Sequence, residues 1–383
     1  MEETANKNGY EAEDITEEIL NNLFFQDFVF RSPCRNNEYQ HESTDIFVCF
    51  DDVIMSVQIK KQISEKDPEK WAEKKIKKLV NQVTGSLNSL KKGKITDLFN
   101  ERIGNRKISE LNFEYFYGLV IVDQESEPYD VSEYVKEAQE KYKVSIQIMS
   151  LKDFYNVCRL FDTAEEFFHY YDIRNEMGGS KKIKIHDERV FAEHFVNNFN
   201  KLSCEYAVKE AGSPKSFKSF FKKAKDFYKK KLYGDLNEDY RLSFIVDTLI
   251  ERMHRTGGTA EEYKKRNSNS NIITGHGAIA HEFAKTGRMT RIMHGKEIFK
   301  RLEMCRKDPE AEPSFTIESP SRATAYFYYF PKYQRTPEEI FNLIVLVGAK
   351  KIKESHDINT VLCSVIQNNP QLGERYFFVL IKR

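Results

Sequence analysis

Hydrophobic and polar positions alternate most regularly in STDIFVCFDDVIMSVQIKK, Ser43 to Lys61. Period-two alternation on either side of Asp51 and Asp52 predicts two strands joined by a two-residue hairpin turn. In that register Phe50 faces Val53, Val48 faces Met55 and Asp45 faces Gln58. Opposed side chains share a face, about 5 Å apart at Cβ, and Lys60, two residues past Gln58, projects from the same face. One face (Ile46, Val48, Phe50, Val53, Met55, Val57, Ile59) is wholly apolar. The other gathers Asp45, Gln58 and Lys60 at the end away from the turn. A one-residue slip would separate these groups, but it would also lift the apolar set out of the core.

Around the hairpin the pattern changes period. Residues 14–24 predict a short helix with Asp14 and Glu17 as a capping box and Ile15, Ile19, Leu20 and Leu23 as its apolar face. A strand is expected before Pro33. Trp71, Ile76, Leu79, Val80, Val83 and Leu87 recur at helical spacing, so a long helix runs from Pro68 to about Leu90. A buried strand follows over 113–123, then a helix over 131–142, the strand VSIQIMS and two further helical stretches to about Met177. The first domain is thus helix, three antiparallel strands, helix, strand, helix, strand: an α/β fold with a mixed sheet and flanking helices. GGSKK at Gly178–Lys182 predicts a linker, dividing the chain into 1–178 and 179–383. The second part is expected to be mainly helical to about 308, with a small α+β segment at the end: SFTIES, RATAYFYYF, a helix at TPEEIFNLIVLVGAKKI, TVLCSVIQ and RYFFVLIK.

The 383 residues carry 60 Lys plus Arg against 59 Asp plus Glu, a net charge of +1, so a polyanion partner would have to be met by local basic patches. The six cysteines are scattered without a CxxC pair, against a structural zinc site or a disulfide framework. No apolar run reaches membrane-spanning length and the N-terminus is acidic, which predicts a cytoplasmic protein with no membrane partner.

An acid beside an amide oxygen and an amine suits a hard divalent cation working on a phosphate, with the amine stabilising the charge that grows on the phosphate. Glu18, at the border of the first helix's apolar face, is the expected second carboxylate, and Glu42 a weaker candidate. The plain alternatives are a strand-end salt bridge for Asp45, Gln58 and Lys60, and a dipole-favoured first-turn acid for Glu18.

These residues resemble the PD-(D/E)XK nuclease superfamily over roughly residues 10–150. Asp45 matches its catalytic Asp, Gln58-Ile59-Lys60 its (D/E)XK triplet in a QXK variant, and Glu18 the acid that many members carry on the first helix. Thr44 stands where a literal motif has Pro, and Gln58 removes one negative charge from the site. The resemblance implies a restriction-endonuclease-like αβββαβ core and Mg²⁺ or Mn²⁺ held by Asp45, Gln58, Glu18 and the Ile59 carbonyl. It implies an endonuclease acting on DNA in preference to RNA, by fold-level analogy in restriction or anti-phage defence. Gln82 on the second helix, with Lys74 and Lys78 among its basic residues, would contact the nucleic acid. Residues 179–383 would bind substrate, a partner protein or a second copy. The competing expectation is a nuclease-like module that binds without cutting.

Elsewhere the signals are weaker. The lysines interleaved with aromatics over 213–234 fit an amphipathic helix with solvated lysines, or one lying on nucleic acid. His276, His281 and His294 lack metal-ligand spacing, and Gly257-Gly258 lacks the Lys-Ser/Thr of a phosphate loop.

Overall fold

A computed structural model describes residues 2–383 except 32–43, 51, 62–67, 101, 103, 124–131, 143, 180–187, 199–213, 235–237, 256–271, 274–275, 320–322, 333 and 370–372. Glu42, Asp51, Gly257, Gly258 and the 180–182 part of the expected linker lie outside the described residues. The chain divides into two compact units, Met1–Asn198 and Phe199–Arg383.

In the first unit, helix α1 (Glu2–Phe24) leads into a short turn and strand β1 (Val29–Arg31). The hairpin follows as β2 (Ile46–Phe50) and β3 (Val53–Lys61), then α2 (Pro68–Lys91). A second hairpin, β4 (Asp97–Asn100) and β5 (Gly104–Lys107), precedes β6 (Tyr115–Asp123), α3 (Ser132–Tyr142) and β7 (Ser145–Ser150). Helices α4 (Leu151–Leu160), α5 (Ala164–Gly179) and α6 (188–198) close the unit. The described strands form one mixed sheet ordered β5-β4-β1-β2-β3-β6-β7. β1, β2 and β3 run antiparallel; β6 and β7 continue parallel to β3 through the α2 and α3 crossovers.

The hairpin pairs in the expected register, Phe50 with Val53 and Val48 with Met55. Two helical layers cover the sheet. Phe47, Cys49 and Ile54 pack under α2 with Trp71, Ile76, Leu79, Val80, Val83 and Leu87. The Phe50 face packs on α1 and α5 through Phe24, Phe167 and Phe168. Gly118 on β6 allows the α2 approach, since a Cβ there would stand 2.4 Å from the Val83 side chain.

Three expectations need correction. Helix α1 begins at Glu2, so Asp14 and Glu17 are mid-helix and form no capping box; both bind the Arg31 guanidinium, tying α1 to β1. Its buried stripe is Ala12, Thr16, Leu20 and Leu23, while Ile15 is exposed. The strand expected before Pro33 begins later than the alternation suggests and covers Val29–Arg31 among the described residues, because a 3₁₀ turn takes Gln26–Phe28. The linker expectation also stops short of where the first unit ends. α6 belongs to that unit: Arg174 on α5 holds the buried Glu188 carboxylate with contacts of 2.6–2.8 Å, and Phe191 and Phe195 pack on Tyr170.

The second unit contains α7 (Pro214–Leu232), α8 (Glu238–Arg255), β8 (Ile272–Ile273), α9 (His276–Ala284) and α10 (Arg288–Lys307). It ends with β9 (Ser314–Ser319), β10 (Thr324–Tyr329), α11 (Pro337–Glu354), β11 (Thr360–Asn369) and β12 (Gly373–Lys382), the helix and strands expected there. Its five-stranded sheet has the order β8-β12-β11-β10-β9. α11 covers one face through Ile340, Ile344 and Ile352. Phe283 of α9 and His294 of α10 pack against Tyr326 and Tyr328 on the other. Asp247 of α8 accepts from the buried Arg288 and Arg291 at 2.6 Å each.

Candidate active site

Strand β2 begins only at Ile46, one residue after Asp45, while its partner β3 runs on to Lys61. The longer strand therefore presents unpaired edge where the shorter one stops. Asp45 fills that gap: its Oδ2 accepts from the Gln58 amide at 2.7 Å and from the Ile59 backbone N–H at 2.6 Å. The alternation of the hairpin thus brings Asp45 and Gln58 into contact as expected. In a strand a residue's N–H and C=O point to the same side, so the Ile59 carbonyl is directed toward Asp45 as well.

Gln58 is 5% exposed, and its Oε1 has no hydrogen-bond partner among the described residues. An unpaired buried amide oxygen costs about 1–3 kcal/mol. Lys60 is exposed and has no ion-pair partner among the described residues. Its neighbour Lys61 on the opposite face differs, with Glu11 at 3.3 Å and Asp123 at 3.7 Å.

A second set of polar atoms anchors the site from below. The Thr44 hydroxyl donates to the Val57 carbonyl at 2.8 Å, and the Asp45 N–H donates to the same oxygen at 3.2 Å. Having used its one proton, the Thr44 hydroxyl accepts from Ser56 Oγ at 2.9 Å. Both hydroxyls are fully buried. Thr44 therefore does by side-chain bonding what the ring of a proline would do by stiffness, fixing the backbone just before Asp45. Strict alternation would send Thr44 to the other face; the bend at Asp45 brings it round, which is why pattern alone did not single it out.

Helix α2 lies on the same face as Gln58. Val83 packs over Gly118, and Gly118 pairs with Ser56. Lys78, five residues before Val83, is about 7.5 Å up the helix. Gln58, two residues past Ser56, is about 6.6 Å up the strand in the same direction. Lys74 reaches the level of Lys60 by the same count. Lys74 and Lys78 are exposed and Gln82 is half-buried; at 100° per residue the two lysines lie about 180° and 140° round the helix from Val83, so they share the level of the hairpin's polar end but face away from the sheet.

Glu18 is placed differently. It is exposed on α1, on the side opposite the buried Ala12–Thr16–Leu20 stripe, and α1 covers the other face of the sheet. It makes no contact with Asp45 or Gln58. The sequence reading overlooked Glu11 and Asp123, acids that the fold does bring to this end of β3, where they pair with Lys61.

Three oxygens of different kinds belong to residues that meet at this strand end: the Asp45 carboxylate, which takes the Gln58 and Ile59 N–H groups, and the amide and backbone oxygens of those same two residues. Such a set suits a hard cation that keeps most of its water, and the orphaned Gln58 Oε1 is the atom that such an ion, or one of its waters, would satisfy. Among the described residues no group of three or more His, Cys, Asp and Glu stands together to hold a metal, and Asp45 is the one carboxylate that they place on Gln58 and Ile59. The described cysteines are free thiols; burial pushes Cys49 well above its usual range, which disfavours it as a nucleophile.

In the second unit His294 is fully buried and its Nδ1 lies 2.7 Å from the Tyr328 hydroxyl, a core contact. No helix among the described residues is long and apolar enough to cross a membrane. No protein-family model, curated protein or solved structure matches the chain significantly.

Proposed function

We propose that the first unit is a metal-dependent nuclease of the restriction-endonuclease-like fold, an endonuclease that hydrolyses phosphodiester bonds in DNA in preference to RNA. The observation that carries this reading is the hairpin end. There Asp45 meets Gln58 and Ile59, a buried amide oxygen is left unpaired, and an unpaired lysine projects from the same face. The order helix, three antiparallel strands, helix, parallel strand supports it.

Hydrolysis forms one P–O bond from water and breaks one ester P–O bond, so the site must orient the water, offset charge on the phosphate and release a proton. Asp45 and the Ile59 N–H fix the strand end. The Lys60 ammonium donates to the attacking water or to a non-bridging phosphate oxygen, where it offsets the developing negative charge. Lys74 and Lys78, which face away from the sheet, meet only flanking phosphates and do so without reading bases. When bound, Mg²⁺ or Mn²⁺ supplies Lewis acidity and a more acidic water; Asp45, Gln58 Oε1 and the Ile59 carbonyl would hold it. Glu18, expected as a further ligand, stands away on α1, so the reading rests on the hairpin's own oxygens.

One observation favours a second reading, a module that binds nucleic acid or a partner without cutting. The carboxylates at this site are few, and Asp45 Oδ2 already accepts two hydrogen bonds. Incubating plasmid DNA and single-stranded RNA with the protein and Mg²⁺ or Mn²⁺ separates the two. The nuclease reading expects cleavage that falls at least a hundredfold in Lys60→Ala and Asp45→Asn. Equal cleavage by the variants refutes it, and binding without cleavage supports the second reading.

A further inference from the structure

We infer that α7 of the second unit carries a docking face for the phosphate backbone of nucleic acid, distinct from the hairpin site. Ala224 and Tyr228 turn one side of this helix into the unit's core. Lys231 lies over the Phe227 and Tyr240 rings and is also taken up by the fold. The opposite side carries Lys222, Lys223, Lys225, Lys229 and Lys230, with Asp226 as its one acid between 222 and 230. At 100° per residue these six positions span about 160° of the helix. Tyr233 follows on the same side and is 70% exposed.

None of these five lysines has an ion-pair partner among the described residues, and burial does not hide them. Apart from the basic face of α2, exposed helix faces here mix their signs, as in Lys136–Glu140 of α3, Arg301–Glu297 of α10 and Lys350–Glu354 of α11. The chain as a whole is nearly neutral at +1, so α7 is a local concentration rather than a general excess. Like charges three and four residues apart repel by a few tenths of a kcal/mol per pair. A partner that presents a row of anions relieves this repulsion, and release of its counterions adds to the affinity.

The occupant is nucleic acid rather than an anionic membrane. A helix that lies in a bilayer surface needs a free apolar face, and the described residues on the apolar side of α7, Ala224 and Tyr228, are already buried within its unit. The contacts would go to phosphates and be independent of base sequence. The inference gives the second unit a part in holding substrate, yet it concerns binding alone and stands whether or not the hairpin site cuts.

The test is fluorescence anisotropy of a labelled random-sequence duplex with the full chain in EDTA, across a salt series. Lys222→Glu/Lys223→Glu/Lys230→Glu is compared with Lys307→Glu/Lys350→Glu/Lys353→Glu, a charge-matched control on exposed positions elsewhere. The α7 variant is expected to bind at least tenfold more weakly, with the log K against log salt slope reduced by about 3, while the control stays within about twofold of the wild type. Unchanged affinity and slope in the α7 variant would overturn the inference, as would an equal loss in the control. So would loss of binding to phosphatidylserine vesicles with duplex binding intact. Plasmid cleavage, scored separately, bears on the hairpin site and not on this face.

Discussion

At residue 58 an amide does something a carboxylate could not do without help. It donates to Asp45 at 2.7 Å and still has an oxygen to offer. A glutamate there would set two carboxylates in contact, so that one must bind a proton or share a cation. Gln58→Glu is therefore expected to make stability metal-dependent: a Tm below wild type in EDTA that recovers on adding Mg²⁺, against little metal response in the wild type. Thermal melts with and without Mg²⁺ check this. Thr44 acts one step further back, since its hydroxyl reaches only Val57 and Ser56. Thr44→Val is expected to lower kcat about tenfold while leaving duplex affinity in EDTA unchanged, and Thr44→Ser to restore it; a matching loss of affinity would mean that the substitution merely loosens the strand. Asp45, Gln58 and Lys60 were legible in the sequence because strand alternation has a fixed period. Thr44 was not, because its contact depends on a bend.

Among the elements, those with a strong period were found where the pattern placed them, including β2, β3, α2, β6 and α11. The β4–β5 hairpin was missed. DLFN and GNRK are short, and β5 carries no apolar residue to mark it. The length of α1 was missed for a related reason: its first half lacks a hydrophobic period, and helical backbone extends beyond the packed stripe. Helix over 188–198 was expected, but its membership of the first unit was hidden because its link to α5 is a side-chain ion pair across the expected linker. Arg174 and Glu188 are both buried, with the Tyr170 hydroxyl also on Glu188. Glu188→Ala leaves the guanidinium buried without its acid, so a loss of about 3–5 kcal/mol is expected from urea unfolding of the first unit. Gly118→Ala probes the other layer of the same unit. Its new methyl meets Val83, so a loss of about 1–3 kcal/mol is expected, eased by Val83→Ala in the double variant.

For the whole molecule, each unit holds a histidine that burial keeps neutral. Burial lowers His169 to about 4 and His294 to about 3, with nearby Arg291 adding to the effect on His294. Unfolding returns each toward the ordinary histidine value of 6.5. Below that pH the unfolded chain binds protons that the folded chain does not, so stability falls with falling pH. The loss begins near pH 6.5 and continues to about 4 for His169 and about 3 for His294. Each contributes up to about 1.4 kcal/mol per pH unit. Urea titrations from pH 7 to 4 are expected to show this slope in both units, and His294→Gln to flatten it in the second alone. The chain divides after Asn198, at a position set by the packing of α6 on α5 that no local sequence pattern reveals.

These scales meet at the hairpin end, where Asp45 takes the Gln58 and Ile59 N–H groups and the Gln58 amide oxygen has no partner among the described residues. An anomalous difference map from crystals soaked in Mn²⁺ tests that arrangement directly. The proposed site predicts a peak about 2.0–2.4 Å from an Asp45 carboxylate oxygen, Gln58 Oε1 and the Ile59 carbonyl oxygen. A map with no peak there, and with the Asp45–Gln58 hydrogen bond unchanged, would contradict it.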